Sequence, residues 1–311
     1  MTLNIPRVGA IIVSYKNVPN VLNLVGDLVQ QSAPPHEIFV IDNGAGDEAR
    51  SVMTNKFPDV HYVLMSENTG SSGGFREGTN RACVNNDYVL TLDDDLRLTP
   101  DAIEKLLAGF AATHGHTRAA MLTGNEQPFT DGSAHNLHET TDKANKGNLS
   151  YSFADLKQRM GFGWRGKLFA CEAIKVVGPP RTEYFLYGDD YEYGLRLASA
   201  GFKFFAIPDV TFFDNRSSNQ SKLSLFMAST TVYRDDFRLY YAFRNQLHIA
   251  AEYKQFFSIA KLIGHAIKAT IGFILHPVPS SSRNIMAIAC GLSDGFRSKL
   301  GKNNKFLPEN K

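Results

Sequence analysis

The first half of the chain alternates short apolar runs with stretches of helical periodicity, and that alternation restricts it to an α/β architecture. Val8–Val13 reads as a buried strand, after which Val21, Leu24, Val25, Leu28 and Val29 recur at helical spacing. Pro34-Pro35 stops that helix, and a second strand, Ile38–Ile41, ends at Asp42-Asn43. A short polar helix leads to a third strand, His61–Leu64. A glycine-rich loop from Asn68 to Gly74 then precedes a helix over about 75–85. The fourth strand, Tyr88–Leu92, ends in Asp93-Asp94-Asp95; beyond it Thr99 is the expected N-cap and Pro100 the first residue of the next helix. Strand–helix alternation implies a mostly parallel sheet with right-handed crossovers and helices on its faces, and ligands of such sheets bind beyond the carboxyl ends of the strands. Asp42, Asn68 and Asp93–Asp95 all fall on that rim.

The second half is less regular. Residues 124–165 read as an irregular, cleft-lining segment containing His135, His138 and Trp164. An aromatic loop with Tyr184, Phe185 and Tyr187 passes through Gly188 into a helix opened by Asp189-Asp190. Strands at 204–207 and 210–213 follow, and from about Tyr233 the pattern is helical. The expected division is an α/β domain over 1–225 and a helical, basic, amphipathic region over 226–311.

Charge separates these regions. From Tyr253 to the end, nine Lys or Arg face two acids, whereas the formal net charge of the whole chain is only +2. An acidic body with a basic tail argues against a nucleic-acid binder and fits a tail that meets anionic lipid. In the tail, Ile259, Leu262, Ile263, Ala266, Ile267, Ile271 and Ile274 recur at helical spacing, with Lys254, Lys261, His265 and Lys268 largely on another face. That face either packs on the core or lies in a membrane interface. Three well-separated cysteines, Cys83, Cys171 and Cys290, suggest a reducing compartment and no disulfide framework. Without a signal-peptide pattern or an uninterrupted apolar run of spanning length, the expected location is cytoplasmic.

Three adjacent aspartates repel one another unless a positive charge sits among them. Asp93 and Asp95 project to the same side of an extended backbone, where they offer hard oxygen ligands to Mg²⁺ or Mn²⁺; the plainer reading is a solvated acidic turn. Glycines at 70, 73 and 74 directly before a helix suit an anion such as a diphosphate, or simply a flexible turn. This is neither a Walker loop nor the dinucleotide fingerprint. In Gly188-Asp189-Asp190-Tyr191-Glu192 the carboxylates sit at a helix start, which keeps them ionised. Asp189 suits a cap, and Asp190 suits a general base facing a sugar hydroxyl. The pairs His114/His116 and His135/His138 have metal-like spacing but read more simply as solvated loop histidines. Trp164 is either core or a stacking platform, and glycines at 161, 163 and 166 favour an exposed platform. Tyr240, Tyr241 and Phe243 read as core packing, with Arg244 within reach of a phosphate.

In order along the chain, the strand ending in Ser14-Tyr15, Ile-Asp42-Asn43, Asn68-x-Gly-x-x-Gly-Gly-Phe, Leu-Asp93-Asp94-Asp95 and Gly188-Asp189-Asp190-x-Glu192 resemble an inverting family 2 glycosyltransferase with the GT-A (Rossmann-like) fold and a C-terminal helical extension. The Ser-Gly-Gly-Phe loop, the triple aspartate and Phe-Arg244-Asn245 are most similar to bacterial galactofuranosyltransferases of cell-wall galactan synthesis, with rhamnosyltransferases as near neighbours. The resemblance implies a donor site of Ser14, Tyr15, Asp42 at the uracil, Asn68, Gly73 and Gly74 along ribose and diphosphate, Asp94 near nucleotide or sugar, and Trp164 at the sugar pocket. It implies Mn²⁺ or Mg²⁺ on Asp93 and Asp95, Asp190 as catalytic base, and Asp189, Glu192 and Tyr187 around the acceptor. Two positions depart from the family pattern: Asp214 stands where a metal-ligating histidine is usual, and Lys16-Asn17 where an arginine is frequent.

The resemblance therefore implies sugar transfer, with galactofuranose from UDP-galactofuranose as the leading reading. The acceptor would be lipid-linked or a polysaccharide, at the inner face of the cell membrane, and no nucleic acid would be bound. A rhamnosyl or hexosyl transferase using dTDP-rhamnose or a UDP-hexose is the alternative within the family. A glycoside hydrolase would also use paired carboxylates but needs neither diphosphate loop nor metal triplet. A sugar nucleotidyltransferase would carry its glycine loop after the first strand, where this chain reads Ser-Tyr-Lys-Asn, and a non-catalytic binding module would not need the full set of acids.

Overall fold

The computed structural model describes residues 6–44, 46–129, 149–159, 163–215 and 235–307. They fall into two units, the first comprising Met1–Thr69, Gly73–Pro180 and Tyr193–Ser217 and the second Gly70–Ser72, Arg181–Glu192 and Ser218–Lys311.

Among the described residues of the first unit, strands β1 (Val8–Ser14), β2 (Glu37–Asp42), β3 (His61–Leu64), β4 (Tyr88–Asp93), β5 (Leu96–Leu98), β6 (Ala119–Pro128), β7 (Lys157–Gln158), β8 (Lys167–Ala170) and β9 (Lys203–Asp214) form one sheet. Its order is β3-β2-β1-β4-β8-β6-β9-β5, with β7 against β9. The β3-β2-β1-β4 half is parallel, as the alternation predicts. The other half is mixed: β8 runs antiparallel to both β4 and β6, β6 and β9 are parallel, and β5 is antiparallel to β9. Strands covered on both faces can be continuously apolar, and Ala10, Ile11, Ile12, Val40, Ile41, Leu90 and Leu92 are all buried.

Helices α1 (Val18–Val29), α2 (Asp47–Lys56), α3 (Gly70–Ala82) and α4 (Ala102–Thr113) connect the early strands, and α5 (Cys171–Val177) and α6 (Asp189–Ser199) follow β8. The apolar stripe of α1 buries Val21, Leu24, Val25 and Leu28, while Val29 turns outward. Helix α4 starts later than its sequence suggests: Asp101 stands at the N-cap position without a side-chain capping bond, and the Thr99 carbonyl accepts the Ala102 N–H at 3.1 Å. The glycine-rich segment is not a loop before α3 but its first turn. Gly70 has φ +71°, and a Cβ there would meet the Phe185 carbonyl oxygen at 1.9 Å, so no other residue fits without movement. The absent Cβ atoms of Gly74 and Gly78 let α3 lie directly on Val13 and Ile11 of β1.

Contrary to the expectation from spacing, Cys83 and Cys171 form a disulfide, with Cα atoms 5.4 Å apart. The topology explains the pairing. Tyr88 of β4 lies opposite Ala170 of β8, so the end of α3, just before β4, meets the start of α5, just after β8. The expected irregular segment 124–165 is a strand as far as Pro128. The two strands expected at 204–207 and 210–213 are one strand, β9, with a bulge between them: Thr123 pairs with Ala206 but Asn125 with Thr211.

The second unit contains α7 (Asp236–Glu252), α8 (Phe256–Leu275) and α9 (Ser281–Phe296). Leu239, Tyr240, Tyr241 and Leu247 of α7, Leu262, Ala266, Ala269 and Phe273 of α8, and Ala287 and Ile288 of α9 share one core. The apolar residues expected on one face of α8 split between two destinations. Leu262 and Ala266 pack inward, whereas Ile263, Ile267, Ile271 and Ile274 stay exposed beside Phe256 and Phe257, which are 77% and 85% exposed. By length and composition α8 is also long and apolar enough to cross a membrane. Lys261 and Lys268 interrupt its apolar run, as the sequence shows, without ending the helix.

Candidate functional site

The carboxyl ends of β1, β2 and β4 carry a set of side chains fixed by local hydrogen bonds. Asp42, the last residue of β2, is buried and accepts the backbone N–H groups of Gly44 (2.8 Å) and Gly46 (3.1 Å) and the Tyr62 hydroxyl (2.6 Å). Asp94 accepts the Ser14 hydroxyl (2.9 Å), the Tyr15 N–H (3.2 Å) and the Asn17 side-chain amide (3.1 Å). Burial raises the Asp94 carboxyl above its ordinary range against the pull of those donors. Ser14, Tyr15 and Asp94 thus form one hydrogen-bonded group, to which Asn17, flagged only as a departure from the family pattern, belongs, and Asp42 lies opposite Ser14 across β1 and β2. Asn68 is half-buried, and Asn43 pins the following residue by accepting both the Thr69 hydroxyl (2.9 Å) and its N–H (3.2 Å).

The expected metal ligands meet around an arginine. Arg165 Nη1 donates to Asp93 Oδ2 at 3.1 Å and Asp95 Oδ1 at 2.5 Å, and Nε donates to Glu126 Oε1 at 3.0 Å. Nη2 lies 3.0 Å from Asp214 Oδ1 as an ion pair, without the alignment of a hydrogen bond. Backbone bonds support the cluster: the Asn215 N–H reaches the Asp95 carbonyl at 2.8 Å, and Leu96 pairs with Asp214 across β5 and β9. Burial pushes the Asp93 carboxyl up to about 6, Arg165 works against that rise, and Asp95 and Asp94 add to it. Burial disfavours the Arg165 charge, but Asp93, Asp95, Glu126 and Asp214 outweigh it and hold the guanidinium protonated.

Arg165 and Glu126 were not legible as site residues; the one available signal was an arginine directly after the sole tryptophan in a glycine-rich stretch. Trp164 is the anchor of that stretch and not the exposed platform its glycines suggest. Its ring is 5% exposed, stacked on Phe75 at 4.9 Å and close to Tyr193 and Phe169. The Trp164 carbonyl accepts the Thr91 hydroxyl at 2.6 Å. Gly166 follows at φ +61° with Phe212 against it. A buried ring on one side and a left-handed turn on the other leave Arg165 to project among the acids.

Among the described residues no three acidic, histidine or cysteine side chains close on a common point as a ready metal cage. The chemistry of the donor set nevertheless fits Mn²⁺ or Mg²⁺. Asp93 and Asp95 converge on one cationic nitrogen, Asp214 faces the same guanidinium, and all three offer the hard oxygens such ions take. His116 stacks on Phe153 at 4.7 Å, and His135 and His138 lie outside the described residues.

In the second unit, Asp189 and Asp190 open α6. Asp189 is buried and accepts the Ser71 hydroxyl at 3.3 Å. Asp190 is half-buried and accepts the N–H of Tyr191 at 2.7 Å. Glu192 is fully buried beside Arg181 (3.6 Å) and accepts the Tyr253 hydroxyl at 3.2 Å, an environment of structural pairing. The loop ahead of them is strained: Phe185 (φ 63°) and Tyr187 (φ 60°) both occupy the left-handed region. Arg244 does not reach outward for a phosphate. It is fully buried, and its Nη2 donates to the carbonyls of Tyr184 (2.9 Å) and Glu183 (3.3 Å).

The sheet is parallel through β3-β2-β1-β4, and its strand ends carry carboxylates with an arginine among the outer ones. The model for the "Glycosyltransferase like family 2" matches residues 6–242, and the protein belongs to that family of transferases. It is similar to galactofuranosyltransferase GlfT1 of Mycolicibacterium smegmatis, 23% identical over 252 residues, covering 78% of this chain and 82% of that one. It is also similar to galactofuranosyltransferase GlfT2 of Mycobacterium tuberculosis, 26% identical over 211 residues, but spans only 30% of that protein's length and 59% of its own. Its fold is the GT-A fold of solved glycosyltransferases. The mannosyltransferase PcManGT from Pyrobaculum calidifontis in complex with GDP-Man and Mn²⁺ matches with a TM-score of 0.56 at 14% identity, over 96% of this chain and 89% of that one. S. aureus TarS 1-349 in complex with UDP-GlcNAc matches with a TM-score of 0.58 at 13% identity, over 92% and 80%.

Proposed function

We propose that the protein is an inverting glycosyltransferase that moves galactofuranose from UDP-galactofuranose onto a lipid-linked or polysaccharide acceptor in bacterial cell-envelope glycan synthesis. The carrying observation is the grouping of Asp42, Asp94 and the Asp93/Asp95/Asp214 set at the strand ends of a family 2 chain. The galactofuranosyltransferase relatives support the sugar.

In this reading the rim of the first unit binds the donor, with Asp42 toward the uracil and Asp94, Ser14 and Tyr15 toward ribose and sugar. Asp93, Asp95 and Asp214 would hold Mn²⁺ or Mg²⁺. When bound, the metal neutralises charge on the leaving diphosphate. Asp190 accepts the proton of the acceptor hydroxyl as its oxygen bonds to the anomeric carbon and the bond to UDP breaks, which inverts that carbon. Asp189 and Tyr187 shape the acceptor side, and Glu192 supports them from its buried pair with Arg181. Trp164 contributes by holding the segment that carries Arg165. Domain 1–225 would carry the catalysis.

The region 226–311 would serve location. The exposed face of Ile263, Ile267, Ile271 and Ile274 with Lys254, Lys261 and Lys268 nearby suits an interfacial helix on an anionic cytoplasmic leaflet, where a lipid-linked acceptor resides.

Product mass from a donor panel of UDP-galactofuranose, UDP-galactose, UDP-glucose and dTDP-rhamnose tests the assignment. Transfer from UDP-galactofuranose alone is expected. Transfer from dTDP-rhamnose and not from UDP-galactofuranose would replace the sugar, and no transfer with no UDP binding would remove the whole reading.

A further inference from the structure

We propose that Arg165 is a resident counter-ion which a divalent cation must displace, so that Asp93, Asp95 and Asp214 take up metal only as the guanidinium leaves them. This rests on reading the rim as a donor site. The oxygens that suit a metal are the ones that hold Arg165: Asp93 Oδ2 and Asp95 Oδ1 share its Nη1, and Asp214 Oδ1 lies 3.0 Å from Nη2.

Three features make this arrangement replaceable. Four carboxylates, Glu126 included, share one guanidinium, so none of them has its charge to itself. The fit is incomplete, because Nη2 is buried without an aligned hydrogen-bond acceptor among the described residues. The guanidinium is also broad and spreads its charge, whereas Mn²⁺ or Mg²⁺ places two charges on a compact centre that hard oxygens prefer. The breadth of Arg165 accounts for the lack of a closed three-ligand group among the described residues.

Displacement is mechanically simple. The backbone at 164–166 is fixed by the buried Trp164 ring, the Thr91 bond to its carbonyl and the turn at Gly166. The long side chain alone has to move. Once released it remains charged and keeps the planar fork that binds phosphate oxygens in pairs. Metal and diphosphate would then bind better together than either does alone, since the cation frees the group that the anion uses.

The test measures Mn²⁺ binding to the full chain, by loss of the free-ion electron paramagnetic resonance signal, for wild type, Arg165→Met and Arg165→Lys, first without nucleotide and then with UDP. Without UDP, Arg165→Met should bind Mn²⁺ at least about tenfold more tightly than wild type, with Arg165→Lys between them. With Mn²⁺ present, Arg165→Met should bind UDP more weakly than wild type. Arg165→Met binding Mn²⁺ alone no more tightly than wild type would overturn the proposal. Should that variant not fold without metal, Arg165→Lys carries the comparison through the rise in melting temperature on adding Mn²⁺, and a rise no larger than that of wild type is the overturning result. If no protein binds UDP, the donor-site reading fails, while the Mn²⁺-only comparison still decides the role of Arg165.

Discussion

The side-chain amide of Asn245 donates to the backbone carbonyl of Tyr187 at 2.6 Å, fixing the residue that turns the chain into Gly188-Asp189-Asp190. The same amide also donates to the carbonyls of Leu186 (2.8 Å) and Tyr184 (2.9 Å), and Arg244 Nε donates to the Asn245 oxygen at 2.7 Å. One buried amide thus holds a strained loop in place. Asn245→Ala removes that donor, with the Tyr184 carbonyl still held by Arg244, at a cost of about 1–3 kcal/mol. A fall of several degrees in melting temperature is expected, with transfer reduced at least about tenfold at temperatures where circular dichroism reports an intact fold. Full activity in a destabilised but folded variant would show that the loop position does not matter to catalysis.

Asp190→Asn should leave UDP binding nearly unchanged and reduce transfer by about 10²–10⁴-fold, the range for removing a general base. Calorimetry with UDP beside a transfer assay decides it; activity within a few-fold of wild type assigns the proton to another group.

Asp93→Ala and Asp95→Ala should each abolish the metal-dependent part of UDP affinity, and Asp214→Ala should weaken it. Equal transfer by wild type in buffer and in excess EDTA would contradict the metal reading.

The exposed face of α8 offers a fourth check. Wild type should sediment with anionic vesicles, less so at high salt, and not with neutral ones, because each cation near such a surface contributes about 1 kcal/mol. Replacing Ile263, Ile267 and Ile271 by Gln should abolish sedimentation without lowering the melting temperature, since these side chains are exposed. Loss of stability instead would assign the face to packing.

His248 of α7 gives a pH dependence. Burial holds its pKa below the ordinary value, against the pull of Glu252, with Arg181 and Arg244 also disfavouring its charge and Glu183 opposing them. The unfolded chain takes up this proton first as pH falls below about 6.5, so the folded state loses stability through that window. The melting temperature of wild type should therefore fall more steeply than that of His248→Gln between about pH 7 and pH 5. Parallel curves would remove His248 as the cause.

Much of the first unit was legible because its signals are local. Short strand-like runs mark β1 to β4, and the polar residues that follow them mark the rim. What escaped depended on distant partners. The Cys83–Cys171 pairing follows from β4 lying beside β8, which no spacing reveals. Arg165 joins the acids through a turn set by a buried tryptophan and a glycine, whereas the sequence offered those glycines as evidence of exposure. The break at Pro208-Asp209 was visible, but only the pairing with β6 shows it to be a bulge within one strand. Glu192 and Arg244 looked available to ligands because charge alone does not disclose burial.

That bulge makes chain length, not only chain chemistry, a determinant of the rim. Beyond it Asn125 pairs with Thr211, and the ladder runs on to Pro128 opposite Asp214. Side chains alternate between faces along a strand, so a slip of one position carries each residue to the opposite face. Inserting or deleting a single residue between Thr211 and Phe213 would turn the Asp214 carboxylate away from Arg165 and bring a neighbour into its place. A lineage of such proteins could therefore gain or lose this member of the cluster through an indel, with no codon for an acidic residue altered.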